Sequence, residues 1–196
     1  MKRKESLLVI VLVCFNLAVL PSCAKIAPPP KGIYRNEMVD FAAIQTVAVL
    51  PFQNLTDDAD ASERVRDAFM SMLLATEAVY VLPTGEVARG ITTAGLAKPA
   101  TPTLGEIKTL AGIINVDVVI TGVLREYGIL RSGITEANVI SLSLEMIEID
   151  TGAIIWSASS TKGGVTMADR LFGGGGDPMN GVTLEAVNDL LDKLFQ

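Results

Sequence analysis

The 196-residue chain contains no histidine, only two cysteines and a single tryptophan. Without histidine it lacks the commonest general base and the commonest transition-metal ligand. A zinc site would have to be assembled from carboxylates alone, so neither a metal nor another cofactor is expected. Basic residues are also scarce: 16 lysines and arginines stand against 22 acidic residues, for a formal charge of −6. No lysine or arginine cluster interrupts the body of the chain. Nucleic-acid binding, which draws most of its affinity from phosphate neutralisation, is therefore excluded as a function class.

The first two dozen residues carry the clearest signal. Lys2, Arg3 and Lys4 form a positive patch, followed by an apolar run from Leu7 to Leu20. That run is shorter than the roughly 20 residues needed to span a bilayer and suits the apolar part of an export signal. Leu20-Pro21-Ser22-Cys23 follows and resembles the lipobox of bacterial lipoproteins, in which a small residue precedes the cut and the cysteine thiol carries diacylglycerol. An uncleaved anchor, or an ordinary signal with an incidental cysteine, are the competing readings. Cysteine arithmetic favours the lipid: Cys14 lies inside the discarded segment, which leaves Cys23 with no internal disulfide partner. By the sorting rule of the lipoprotein class, Ala24 in place of an aspartate implies the outer membrane, with the domain facing the periplasm.

The predicted organisation is a signal peptide over 1–22, a lipidated tether over 23–40 and a single α/β domain over 41–196. Cleavage removes three basic residues and Glu5, taking the formal charge from −6 to −8, and leaves 174 of the 196 residues, enough for one core. Pro28-Pro29-Pro30 favours an extended tether.

Within the domain, residues 46–52 form an apolar run that predicts a strand covered on both faces. Asp60 and Glu63 have the spacing of a capping box, and Val65, Phe69, Met72 and Leu73 recur at helical spacing. A short strand over 79–82, a helix over 86–94 and a second capping box at Thr103 and Glu106, opening a helix to Ile114, come next. A third strand is predicted from Val116 to about Tyr127, dense in β-branched residues. Ile140, Leu142, Leu144 and Met146 alternate with polar residues, Asp150-Thr151-Gly152 turns the chain, and Ile154, Trp156 and Ala158 are expected to share one face. The phase changes after Met146, which predicts a bulge or burial of both faces there. Leu184, Val187, Leu190, Leu191 and Leu194 mark a closing helix. The pattern predicts an α/β domain with a mixed β-sheet and flanking helices.

Candidate chemistry is sparse. Asp57, Asp58 and Asp60 lack the glycine and closing glutamate of a helix-loop-helix calcium site. Gly173-Gly174-Gly175-Gly176 is not followed by the lysine and hydroxyl of a phosphate loop. Ser159-Ser160-Thr161-Lys162 has the serine–lysine spacing of penicillin-binding proteins but falls on a predicted strand instead of a helix start. No catalytic residue is assigned, and the chain is not expected to be an enzyme.

Residues 47–54, an apolar strand entering Pro51-Phe52 and then Gln53-Asn54, resemble the first strand and loop of a superfamily of bacterial envelope proteins. It comprises the CsgG-type curli secretion lipoproteins, the LpoB-type activators of peptidoglycan synthases, the PelC-type polysaccharide export lipoproteins and the TolB amino-terminal domain. A strand ending in Thr121-Gly122 and a hairpin turning at Asp150-Thr151-Gly152 extend the likeness over most of residues 46–160. The resemblance implies a three-layer α/β domain that works through protein contacts in the periplasm, without catalysis. A curli-type pore needs extra strands from each protomer, and no spare pair of long alternating segments is evident. LpoB-type activators have a long disordered reach, whereas this tether is short. A compact, ring-forming PelC-type protein fits the length best.

Two readings of function follow. The first is an oligomeric accessory, with copies of itself or an envelope protein, in secretion or assembly of envelope material: Arg170, Leu171 and Phe172, set between glycines, would suit a subunit contact or a lipid-facing edge, and plain packing under the last helix is the competing reading of the apolar pair. The second is a carrier of a small ligand or an activator of a partner, with Trp156, Tyr127 and Arg125 as the nameable pocket residues.

Overall fold

The computed structural model describes residues 32–133, 135–164 and 176–196. In chain order the elements are β1 (Ile33–Arg35), β2 (Thr46–Val49), β3 (Gln53–Asn54), α1 (Ala61–Ala75), β4 (Tyr80–Val81), α2 (Thr84–Ala94), α3 (Leu104–Ile114), β5 (Val118–Ser132), β6 (Thr135–Glu148), β7 (Ile154–Gly163) and α4 (Met179–Leu194). The strands form one seven-stranded sheet in the order β1-β7-β6-β5-β2-β4, with β3 also paired to β5. β4, β2, β3 and β5 are parallel; β5, β6, β7 and β1 are antiparallel. The α/β class and the mixed sheet are as the patterns predict. Among the described residues no helix is long and apolar enough to cross a membrane.

β2 is covered on both faces, and its alternate residues supply two separate cores. Val47 and Val49 pack in the core that α1 and α4 close, while Ala48 and Leu50 pack in the core that α2 and α3 close. Pro51, which has no N–H to donate, ends β2. The chain then resumes alongside β5 as β3, with Gln53 opposite Val123. Phe52 falls in the gap and lies over Gly122: a Cβ there would stand 2.6 Å from the Phe52 ring and 2.7 Å from a Leu144 methyl. The Pro-Phe and Thr-Gly motifs are therefore two sides of one contact, and glycine is required for the close approach.

Helix starts follow the expected chemistry at one of two places. At α3, Thr103 Oγ1 accepts from Glu106 N (3.3 Å) and Thr103 N donates to Glu106 Oε2 (2.7 Å), completing the capping box. At α1 the expected box does not form. Asp60 already has helical dihedrals (φ −96°, ψ −2°) and makes no side-chain cap, because a capping side chain needs the extended backbone that points it at the first turn. Asp58 instead accepts from Asp60 N (3.1 Å) and pairs with Arg64. Val65, Phe69 and Leu73 are buried as their spacing predicts, joined by Met70, whereas Met72 is only partly buried. Arg66 is buried: its Nη2 and Nε donate to Val49 O (2.9 and 3.3 Å) and its Nη1 to Glu63 (3.1 Å). The guanidinium thus satisfies a carbonyl at the end of β2 that no strand reaches.

In the antiparallel half, β6 alternates as predicted, so Met146 lies in the first core and Ile147 in the second, and its register with β7 shifts between them, leaving Ile155 as the extra residue of β7. The shift has a consequence for β7. Ile155, not Ile154, is buried beside Trp156 and Ala158, and Ile154 is exposed. On α4 the buried stripe is Val182, Ala186, Val187, Leu190, Leu191 and Leu194, with Leu184 on its exposed edge. The expected tether over 23–40 also needs correction: residues 33–35 form β1, paired with Trp156, Ser157 and Ala158 of β7. Three residues are too few to show alternation, and their strand exists only through that distant partner.

Candidate functional site

β5 and β6 continue well past the rest of the sheet. β3 pairing ends at Asn54 opposite Leu124, and β7 pairing ends at Gly163 opposite Val139. From Ile129 opposite Asn138 to Ser132 opposite Thr135 no third strand pairs with them among the described residues. This two-stranded ribbon begins beyond a bulge at Arg125 and closes in a two-residue connection with Gly133 at φ +66°, the dihedral that tight hairpins demand. Arg131 and Glu136 pair across it at 2.7 Å. Ile129 is 61% exposed and Leu130 48% exposed. An isolated two-stranded ribbon is marginal in water, and exposed aliphatic side chains on one are a surface for another chain. At its base, Arg64 lies over the Tyr127 ring at 5.6 Å and pairs with Asp58, tying β5 to the start of α1.

The second distinctive surface is the sheet face behind β6 and β7. By register, Ser143 and Ser141 oppose Ser159 and Thr161, and Glu145 opposes Ser157. Thr161 Oγ1 donates to Ser141 Oγ at 3.1 Å. Residues of the second core stop at Ile147 and Val119, so neither α2 nor α3 covers this hydroxyl-rich face.

Cys23, Arg170, Leu171 and Phe172 lie outside the described residues. The flanks of the glycine-bracketed loop are described, however, and both are held by one residue of the ribbon. Gly164 N donates to Asn138 O (2.8 Å), and Asn138 Nδ2 donates to Asp177 O (2.8 Å). The loop expected from sequence and the ribbon that sequence reading missed thus share a base. The missed signal was Arg131 and Glu136 placed symmetrically about Gly133-Ile134. Gly128 and the adjacent pair Ile129-Leu130 broke the alternation that would have marked a strand.

The proposed ligand residues do not converge. Trp156 is fully buried opposite Met146, with Nε1 donating to Lys193 O (3.2 Å); Tyr127 faces Arg64; Arg125 is exposed at the bulge. Among the described residues no set of three histidine, cysteine or acidic side chains could hold a metal. Ser159 and Lys162 sit three apart on β7, on opposite faces of a strand, so the serine–lysine pair is not assembled. At the opposite end of the sheet from the ribbon, Asp117 Oδ2 accepts from Gln45 N (2.9 Å), Thr46 N (2.8 Å) and Thr46 Oγ1 (2.9 Å). Partial burial pushes this carboxyl up, but the three hydrogen bonds together outweigh it and hold it below the usual aspartate range.

A model of the GNA1162-like lipoprotein family matches residues 39–192. No curated protein sequence matches the chain. Among solved structures it is similar to the lipoprotein GNA1162 from Neisseria meningitidis (17% identity, TM-score 0.56, covering 77% of this chain and 98% of that one). It is also similar to the PelC dodecamer from Paraburkholderia phytofirmans (17% identity, TM-score 0.54, covering 83% and 94%). A third is the hypothetical protein CT253 from Chlamydia trachomatis (11% identity, TM-score 0.50, covering 78% and 96%). At these identities the likeness is one of fold.

Proposed function

Since the chain belongs to the GNA1162-like lipoprotein family, we propose that it is a non-catalytic accessory, anchored by lipid at Cys23 to the outer membrane and facing the periplasm. There it assembles with copies of itself and serves in the secretion or assembly of envelope material, polysaccharide or protein. The observation that carries this reading is the ribbon. A two-stranded extension with Ile129 and Leu130 exposed gains its stability from a neighbouring chain. The loop containing Arg170, Leu171 and Phe172 extends the same contact, because its two flanks are held at Asn138. The fold shared with a protein that is a dodecamer supports repetition of one interface, since a head-to-tail contact closes into a ring when its rotation allows.

The test is chemical cross-linking of the full-length protein in membranes. The native chain should give a ladder of multimers, and both the Ile129→Ser, Leu130→Ser double variant and the Leu171→Ser, Phe172→Ser double variant should shorten it. Cys23→Ser should release the protein from the membrane fraction. Unchanged ladders in both double variants would remove the contact role, and continued membrane association of Cys23→Ser would remove the lipid anchor.

A further inference from the structure

At the end of the sheet opposite the ribbon, the core that α1 and α4 close opens into a pocket. A cavity of about 270 Å³ lies between the C-terminal ends of those two helices. Val47 and Ile120 of the sheet form its floor, Leu73 and Val79 one wall, and Phe41 its cover. The cavity is open on one side to solvent and its side-chain lining is apolar apart from Arg35, so an apolar ligand seated in it removes that surface from water. At roughly 30 Å³ for one water-sized unit, the space corresponds to about nine such units. That is on the order of a medium-length alkyl chain.

Arg35 is the single charged residue of the lining. Its Nη1 donates to Leu194 O (2.7 Å) at the end of α4, and its guanidinium lies 3.8 Å from the centre of the Phe41 ring. No carboxylate pairs with it among the described residues. A guanidinium offers five N–H donors in a fork matched to a carboxylate. The α4 terminal carbonyl, which would otherwise repel an anion, is already occupied by one of them. The cover is a single 3-10 turn, Phe41–Ala43, none of whose residues is buried; it is held by Asp40 accepting from Ala42 N (3.0 Å) and by local main-chain bonds. Such a segment opens at little cost compared with the sheet beneath it.

We propose that this cavity binds a single-chain amphiphile with a carboxylate head: the alkyl chain enters between α1 and α4, and the carboxylate is held by Arg35. The inference is independent of the oligomeric reading above, because it uses neither the ribbon nor the lipid at Cys23.

Decanoate and decanol are the probes, titrated calorimetrically into the chain from residue 24 onward, which carries no acyl group and keeps every described strand and helix. Decanoate should bind saturably at one per chain and decanol more weakly. Val79→Trp, which fills the cavity, should abolish both while leaving the melting temperature and circular dichroism close to native. Arg35→Gln should weaken decanoate about tenfold and leave decanol unchanged. The proposal is overturned by the absence of saturable decanoate binding below its micellar range, by binding that survives Val79→Trp in a folded protein, or by equal loss of decanoate and decanol in Arg35→Gln.

Discussion

One sheet carries two regimes of burial, divided near β5. In the parallel half, Val47, Ala48, Val49 and Leu50 are all buried in succession, because helices cover both faces. In the antiparallel half, Leu142 and Leu144 are buried while Ser143 is half-buried and Glu145 exposed, because helices cover one face. The same backbone geometry therefore reads as a continuous apolar run in one place and as alternation in the other. This contrast locates both the stability of the molecule and the surface that another molecule can approach. The doubly covered half holds the structure, and the singly covered half, with the ribbon that grows from it, presents surface.

The sharpest way to break this comparison is to truncate both faces in each half. Ile120→Ala and Leu50→Ala, on the two faces of the parallel half, should each cost about 2–5 kcal/mol by denaturant unfolding, as should Leu144→Ala. Glu145→Ala, adjacent to Leu144, should change stability by less than about 0.5 kcal/mol. A costly Glu145→Ala would mean that the open face is covered after all.

Next in size is Gly122→Ala. Its methyl group would meet the Phe52 ring and Leu144 below van der Waals distance, so overpacking should cost about 1–3 kcal/mol. If the variant is neutral, the contact between the Pro-Phe and Thr-Gly motifs is not tight.

Acid dependence gives a smaller effect. The Asp117 carboxyl is held below its ordinary value in the folded state. Its contribution is therefore present above the unfolded aspartate pKa of about 3.9 and is lost as pH falls through the lower, folded value. Asp117→Asn should lower stability near neutrality, flatten the acid limb of the stability curve, and converge with the native chain at low pH. An acid limb identical to that of the native chain would assign the acid loss to other carboxylates. The smallest expected effect is that of Ser143→Ala, within about 0.5 kcal/mol, since a hydroxyl on an open face exchanges protein contacts for water.

What could be read from sequence tracks the same division. Strands show clearly where burial imposes a pattern: the unbroken run of β2, the alternation of β6 and the bulge after Met146, all of which the structure contains. Elements that owe their form to distant partners were silent. β1 exists through its pairing with β7. Ile155 replaces Ile154 in the core because of the register shift at Met146. Asp60 has capping spacing without capping dihedrals. The ribbon was hidden because exposed strands carry no burial pattern. Of the candidate site, Arg170, Leu171 and Phe172 lie outside the described residues, and the link of the flanks at Gly164 and Asp177 to the ribbon through Asn138 depends on side-chain and main-chain bonds between segments far apart in sequence.

The central claim, that the ribbon is an interface between copies, is tested most directly by the solution mass of the chain from residue 24, measured by light scattering over a concentration series. The account predicts a discrete multimer whose mass falls to that of a monomer in the Ile129→Ser, Leu130→Ser variant. A native chain that stays monomeric at every concentration, or a multimer that the variant leaves intact, would contradict it.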